Sequence, residues 1–219
     1  MLKPQIFAAV SILLISILPR STQAEAPGEW VQLGVEDGIT VSRRKMPGDP
    51  VLAYKGEGVL NAPLGKLITV SRDTPRQVEW VNRLEVAKVI REITPFDRII
   101  YLKIRSPWPV TDRDFLLESR LEVDRIKKTA IFDVHSIEDP QMPPDKCCVR
   151  AVMHSSHVEL KALDDARTSI SAEAHADPRG ALPTWLVNLV QKTFPRKSIE
   201  GLLRQVAKPD IKDFFASGA

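Results

Sequence analysis

Few side chains in this sequence have both the type and the spacing to do chemistry. Its histidines are His135, His154, His157 and His175. His154 and His157 stand three apart in a stretch patterned as a strand, and that spacing sends them to opposite faces, so they make no metal pair. His135 and His175 read as residues on wet faces or bound to a local hydrogen-bond partner. The acid pairs Asp112/Asp114 and Asp164/Asp165 fall in turns between strands, where aspartate bonds nearby backbone, and they read as turn residues rather than a catalytic dyad. Cys147 and Cys148 are the whole cysteine complement. Two thiols exclude a disulfide scaffold and a four-thiolate zinc site, and adjacent cysteines bridge only under strain. A redox switch is the functional reading of the pair, a small buried residue beside a half-covered thiol the plain one. No Gly-x-Ser-x-Gly elbow, phosphate loop or dinucleotide fingerprint occurs. The residues therefore offer no catalytic group, no metal site and no cofactor.

The elements that position these residues are short strands followed by helix. The Asp37-Gly38 turn leads into a strand over 38–42, and 51–59 reads as its successor. Leu64, Leu67, Ile68 and Ser71 have helical spacing, and Asp73-Thr74-Pro75 starts a second short helix. From residue 86 the period becomes two. Ile100, Leu102 and Ile104 alternate with polar neighbours; so do Phe115, Leu117, Ser119, Leu121 and Val123, and then Ala130, Phe132 and Val134. Each run is a strand with one covered face. Further strands fit 147–154, 157–163 and 168–176, and with no crossover helices between them the sheet is expected to be antiparallel. Leu186, Val187, Leu189 and Val190 are apolar nearly all round, marking a buried helix. Pro195 is expected to kink it before Ile199, Leu202, Leu203 and Val206 resume the pattern. The class is α+β.

The chain has 219 residues, and a formal charge of +3 is too small for nucleic-acid binding. Lys3, the apolar run over 6–18, Pro19 and the small residues Thr22 and Ala24 have the layout of a secretory signal peptide. That run is well short of the ~20 residues a spanning helix needs. The expected organisation is a signal peptide over 1–24, one domain over 27–208 and a loose tail over 209–219. Its location is then periplasmic or secreted.

Three segments carry a family resemblance. Ser106-Pro107-Trp108-Pro109, running on through Arg113-Asp114-Phe115, resembles the Pro-aromatic-Pro … Arg-Asp-Phe turn of START domains. These form the lipid-transfer family related to the steroidogenic acute regulatory protein. Residues 177–188 resemble the family's approach to its C-terminal helix, and Met142-Pro143-Pro144-Asp145-Lys146 with Val149-Arg150 the loop and strand between. The chain is so identified as an exported, bacterial member over roughly residues 30–206. The resemblance implies a helix-grip fold: a curved antiparallel sheet around the long C-terminal helix, enclosing a tunnel for one lipid. It places Trp80, Ile100, Leu102, Ile104, Phe115, Leu117, Ser119, Phe132, Ala172, Ala174, Leu186 and Val190 around that lipid.

Two departures bear on the ligand. Some sterol-carrying members face an acid against an arginine at the positions of Ile100 and Ser119, and some phospholipid-carrying members have an aspartate where this chain has Val81. Without a buried charge pair the pocket is expected to take a sterol-like or other weakly polar lipid. The implied function is non-catalytic lipid binding and transfer by a monomer. The alternatives are a cyclase or hydrolase on the same fold, with Ser119 and His154 its titratable or polar candidates, and an interaction protein with a vestigial cavity. Met142 and Pro143, in the proline-rich loop over 138–146, would form a gate with Phe194 on the helix. Lys192, Arg196, Lys197, Arg204 and Lys208 would favour transient contact with anionic membranes.

Overall fold

The computed structural model describes residues 28–217; the segment read as a signal peptide lies outside the described residues. Three strands come first, β1 (Trp30–Glu36), β2 (Ile39–Met46) and β3 (Asp49–Leu60). Asp37 and Gly38, at φ 53° and 77°, form the two-residue hairpin turn between the first two, which demands positive φ at both positions. Helix α1 (Leu64–Arg72) follows Pro63 and leads to a 3-10 turn over Thr74–Glu79. Then come β4 (Leu84–Glu92), β5 (Asp97–Ile104), β6 (Asp112–Asp124), β7 (Thr129–Ser136), β8 (Cys148–Arg150), β9 (Val152–Ala162) and β10 (Thr168–Asp177). Helix α2 (Thr184–Val206) closes the order, with a last 3-10 turn at Phe214–Ser217.

The strands form one sheet in the order β1-β2-β3-β10-β9-β7-β6-β5-β4, with β8 beside β6. Here the expected curved antiparallel sheet around a helix is corrected on two counts. The sheet is open: it ends in two free edges, β1 and β4, and does not curl closed. Helix α2 packs on β3 and β2 and against α1, at one end of the sheet. The glycines of β3 set that position. A Cβ on Gly56 would stand 2.8 Å from Cβ of Pro195 and 3.3 Å from Cδ1 of Ile199. Second, β8 runs parallel to β6, pairing Asp112 with Cys148 and Asp114 with Arg150. Alternation reports which face a side chain takes but carries no strand direction, so sequence spacing could not show this. The architecture is α+β, a long C-terminal helix packed against a sheet. Pro195 lies inside α2, which continues through it to Val206.

Buried apolar residues fall into two clusters. The larger joins α1 and α2 to the sheet through Ile39, Leu60, Leu67, Ile68, Leu121, Phe132, Leu160, Ile170, Ile199 and Leu202. Leu60, Leu67, Ile68 and Leu160 are fully buried, each worth about 1.5–3 kcal/mol relative to exposure. The segment expected as a loose tail contributes Ile211 and Phe214 to this cluster. The smaller cluster, Ile100, Phe115, Leu117 and Ala151, lies on the β4–β6 half.

Candidate functional site

Strand register brings most of the expected lipid-binding residues onto one face. Ile100 pairs with Leu117 and Leu102 with Phe115. Along β6 the same face continues through Ser119 to Leu121, which pairs with Phe132. Phe132 pairs with Val158, which pairs with Ala172, and Ser156 pairs with Ala174. Directly paired residues share a face of the sheet, as do residues two apart. Packing divides this set. Ile100, Leu102, Ile104, Phe115 and Leu117 belong to the smaller cluster, while Trp80, Phe132 and Ala172 belong to the larger. Ser119 and Ala174 are half-buried on the sheet, and Leu186 is half-buried in the first turn of α2. Val190 lies in α2 with its side chain outside the described residues.

Polar groups at this face differ from those the sequence singled out. Ser119 pairs across the strands with Arg98. The Arg98 guanidinium is mostly covered, donates to the Arg72 carbonyl at 2.8 Å and lies 3.5 Å from Glu92. The indole Nε1 of Trp80 and the hydroxyl of Ser198 are buried with no hydrogen-bond partner among the described residues. Ser198 precedes Gly201 by one helical turn, and a Cβ on Gly201 would collide with the Trp80 carbonyl at 2.2 Å. The family resemblance named Trp80 and missed its unspent donor, because nothing in the sequence reports which indole lacks a partner.

The motif residues act as staples. Arg113 donates to the carbonyls of Thr111, Pro178 and Arg179, tying the β6 start to the approach of α2. Asp114 accepts Arg150 Nε at 2.9 Å and Nη2 at 3.1 Å, and the Asp145 N–H at 3.0 Å. Burial would raise the Asp114 pKa, but the Arg150 bonds and the Asp145 amide outweigh it and hold the carboxyl below its ordinary range. Arg150 also donates to the Met142 carbonyl at 3.2 Å. The expected gate loop is thus anchored at Met142 and Asp145, with Pro143 exposed between them, and Phe194 is exposed on α2. Cys147 and Cys148 are free thiols with sulfurs 3.0 Å apart; burial first, then its neighbour, push the Cys148 thiol up to about 12. Among the described residues, clefts open to solvent include one of 630 Å³ beside Gly38, Glu57 and Lys161 and another of 690 Å³ beside Arg72 and Phe96. Neither includes a residue expected to hold lipid.

The START domain profile matches residues 20–204, most of the chain. The chain belongs to the START domain family. An uncharacterized protein of Pseudomonas aeruginosa is 26% identical over 177 residues, 80% of this chain and 85% of its own. Human START domain-containing protein 10 is 26% identical over 149 residues, and the match spans 68% of this chain and half of that protein. The solved structure of human StAR-related lipid transfer protein 5 superposes with a TM-score of 0.75 at 21% identity, covering 81% of this chain and 86% of that one. At that identity the superposition bears on fold alone. Where these relatives' names state a role, it is lipid transfer, a role said of those proteins. Family membership corrects the expected location. Human cells have no periplasm, so START membership does not bring export with it, and the periplasmic or secreted assignment is withdrawn.

Proposed function

We propose that this START domain binds one weakly polar lipid in a tunnel against the shared apolar face and transfers it between membranes. The observation that carries the reading is the divided core. Helix α2 backs the β2–β3 end, while Ile100, Leu102, Ile104, Phe115 and Leu117 form an apolar patch of their own on the β4–β6 half. A lipid bridging the two clusters would remove apolar area from water at roughly 25 cal/mol per Å². Ser119, Trp80 Nε1 and Ser198 are the polar groups available to orient it, in keeping with an apolar pocket carrying a few placed polar atoms. The loop holding Met142 and Pro143 would open by releasing its bonds to Arg150 and Asp114, with Phe194 on the facing helix. Membrane contact is supported by Trp108 and Trp185, 93% and 68% exposed, since the indole suits a water–lipid boundary. The Pseudomonas relative supports a bacterial setting, and a monomer is the expected working form.

Mass spectrometry of organic extracts from the purified protein tests this. A single lipid class at near-stoichiometric amount is expected. Leu102→Trp, at a half-buried position, should remove most of that lipid while the far-UV circular dichroism stays unchanged. Trp80→Phe keeps an aromatic ring in place of the indole and deletes the N–H, and should weaken retention of lipids with a polar head without emptying the site. Equal lipid content in wild type and Leu102→Trp would refute the assignment of the face.

A further inference from the structure

On the opposite face of β10 from Ala174 and Ala176, three adjacent strands bring together groups the lipid site does not use. His175 lies on the central strand, Asp49 at the start of β3 on one side and His154 on β9 on the other. Nε2 of His175 stands 3.1 Å from Asp49 Oδ2, and Nε2 of His154 stands 3.7 Å from the same oxygen. One donor atom from each residue falls within 4.8 Å of the other two. The imidazoles stack with centroids 4.7 Å apart.

A break in register makes the arrangement. His175 pairs with Ser155 and Ala176 with Met153, so His154 is the extra residue of a β-bulge. In an unbroken strand His154 would take the face opposite Ser155 and His175; the bulge re-aims it, as bulges beside functional sites do. The third residue is held as well. The Val51 N–H donates to Asp49 Oδ1 at 2.8 Å, which leaves Oδ2 for the two rings.

His175 supplies the observation that points to a ligand. Its side chain is 7% exposed, and its Nε2 is buried without a hydrogen bond although Asp49 Oδ2 is near. Asp49 Oδ2 stands 3.1 Å away without satisfying the geometry of a hydrogen bond. A buried polar atom left this way is costly, and a cation accepting both donors removes the cost.

We propose that Asp49, His154 and His175 form a binding site for a divalent first-row transition metal of the zinc class. Imidazole is the donor such ions favour, and an Asp carboxylate oxygen joins it in zinc sites. With metal–ligand bonds of about 2.0–2.1 Å, tetrahedral ligand atoms stand roughly 3.3 Å apart, between the two distances found. Three protein ligands leave a further position for water, on the side where His154 and Asp49 meet solvent. The bound ion would clasp β3, β10 and β9 together.

Titration of the full chain with zinc chloride, followed by calorimetry, tests the site, with cobalt absorption reporting the ligand set. The reference protein carries Cys147→Ser and Cys148→Ser, because Asp145, Cys147 and Cys148 form a second group of donors. One zinc per chain is expected, with a thermal midpoint that rises on adding the ion. Loss of even an outer partner costs a metal site about 10–100-fold in affinity, so His154→Ala and Asp49→Asn should each weaken binding at least that much. His154 is 42% exposed on its side chain, so its replacement leaves the fold intact. Zinc affinity in the reference equal to that of His154→Ala, or a cobalt spectrum unmoved by that change, would overturn the proposal.

Discussion

Asp114 carries more of the molecule than its place in a turn motif suggests. Its carboxylate is wholly buried, and both oxygens are taken by Arg150 and the Asp145 amide. Breaking one side of such a pair leaves a charge without compensation, at about 3–5 kcal/mol. Asp114→Asn should therefore lower stability by roughly 3 kcal/mol at neutral pH, read by urea unfolding. The sign of the pH dependence follows from the lowered pKa. The unfolded carboxyl protonates first, so the stabilisation is complete above about pH 4 and is lost as pH falls through the lower folded value. In the Asn variant that acid limb should flatten; an unchanged limb would assign it to other carboxylates. The motif around Asp114 was legible in the sequence as a family mark. Its work as a double staple was not, because the partners Arg150, Pro178 and Arg179 lie far along the chain.

At the scale of elements, the meeting of α2 with β3 depends on an absent side chain. Gly56→Ala would push a methyl against Pro195 and Ile199. Overpacking of this kind costs about 1–3 kcal/mol, and a matching drop in denaturation midpoint is the expected result. A neutral outcome would mean that the helix rests on the sheet more loosely than the spacing indicates. Alternation marked β7, β10 and the far half of β6 because one face is covered there, as Ile170 and Leu121 show, whereas β6 is buried on both faces over residues 113–117. Two features escaped it. The parallel strand β8 is only three residues long, too short to carry a period. The bulge at His154 inverts the face of one residue, so the spacing that denied a histidine cluster was sound for a regular strand and failed at the irregular one. The buried state of His175 escaped for the same reason: a face counted as wet is covered there.

For the whole molecule, charge and shape set what else it meets. Of the basic residues on the C-terminal segment, Arg196 is engaged by Glu36, Asp37 and Glu200, and Lys208 by Glu79. The proposed attraction to anionic membranes would thus rest more on exposed Lys192 and Lys197 than the sequence count implied. The open sheet has a separate consequence. An unclosed sheet offers its outermost backbone to a strand of any other copy, and repeated pairing of that kind ends in aggregation. Both outer strands carry defences. The pairing of β1 with β2 slips at Leu33, and that of β4 with β5 slips at Glu85 and Ile90. β4 also exposes Glu85, Lys88, Arg91 and Glu92 along its length. Replacing Lys88 and Arg91 together with Val removes the two positive gatekeepers and leaves the core untouched. Light scattering should then show large species that grow with protein concentration at an unchanged melting temperature. If the variant stays in solution like wild type, the slipped registers alone protect that rim, and this START domain keeps itself apart from its own copies by bent backbone rather than by charge.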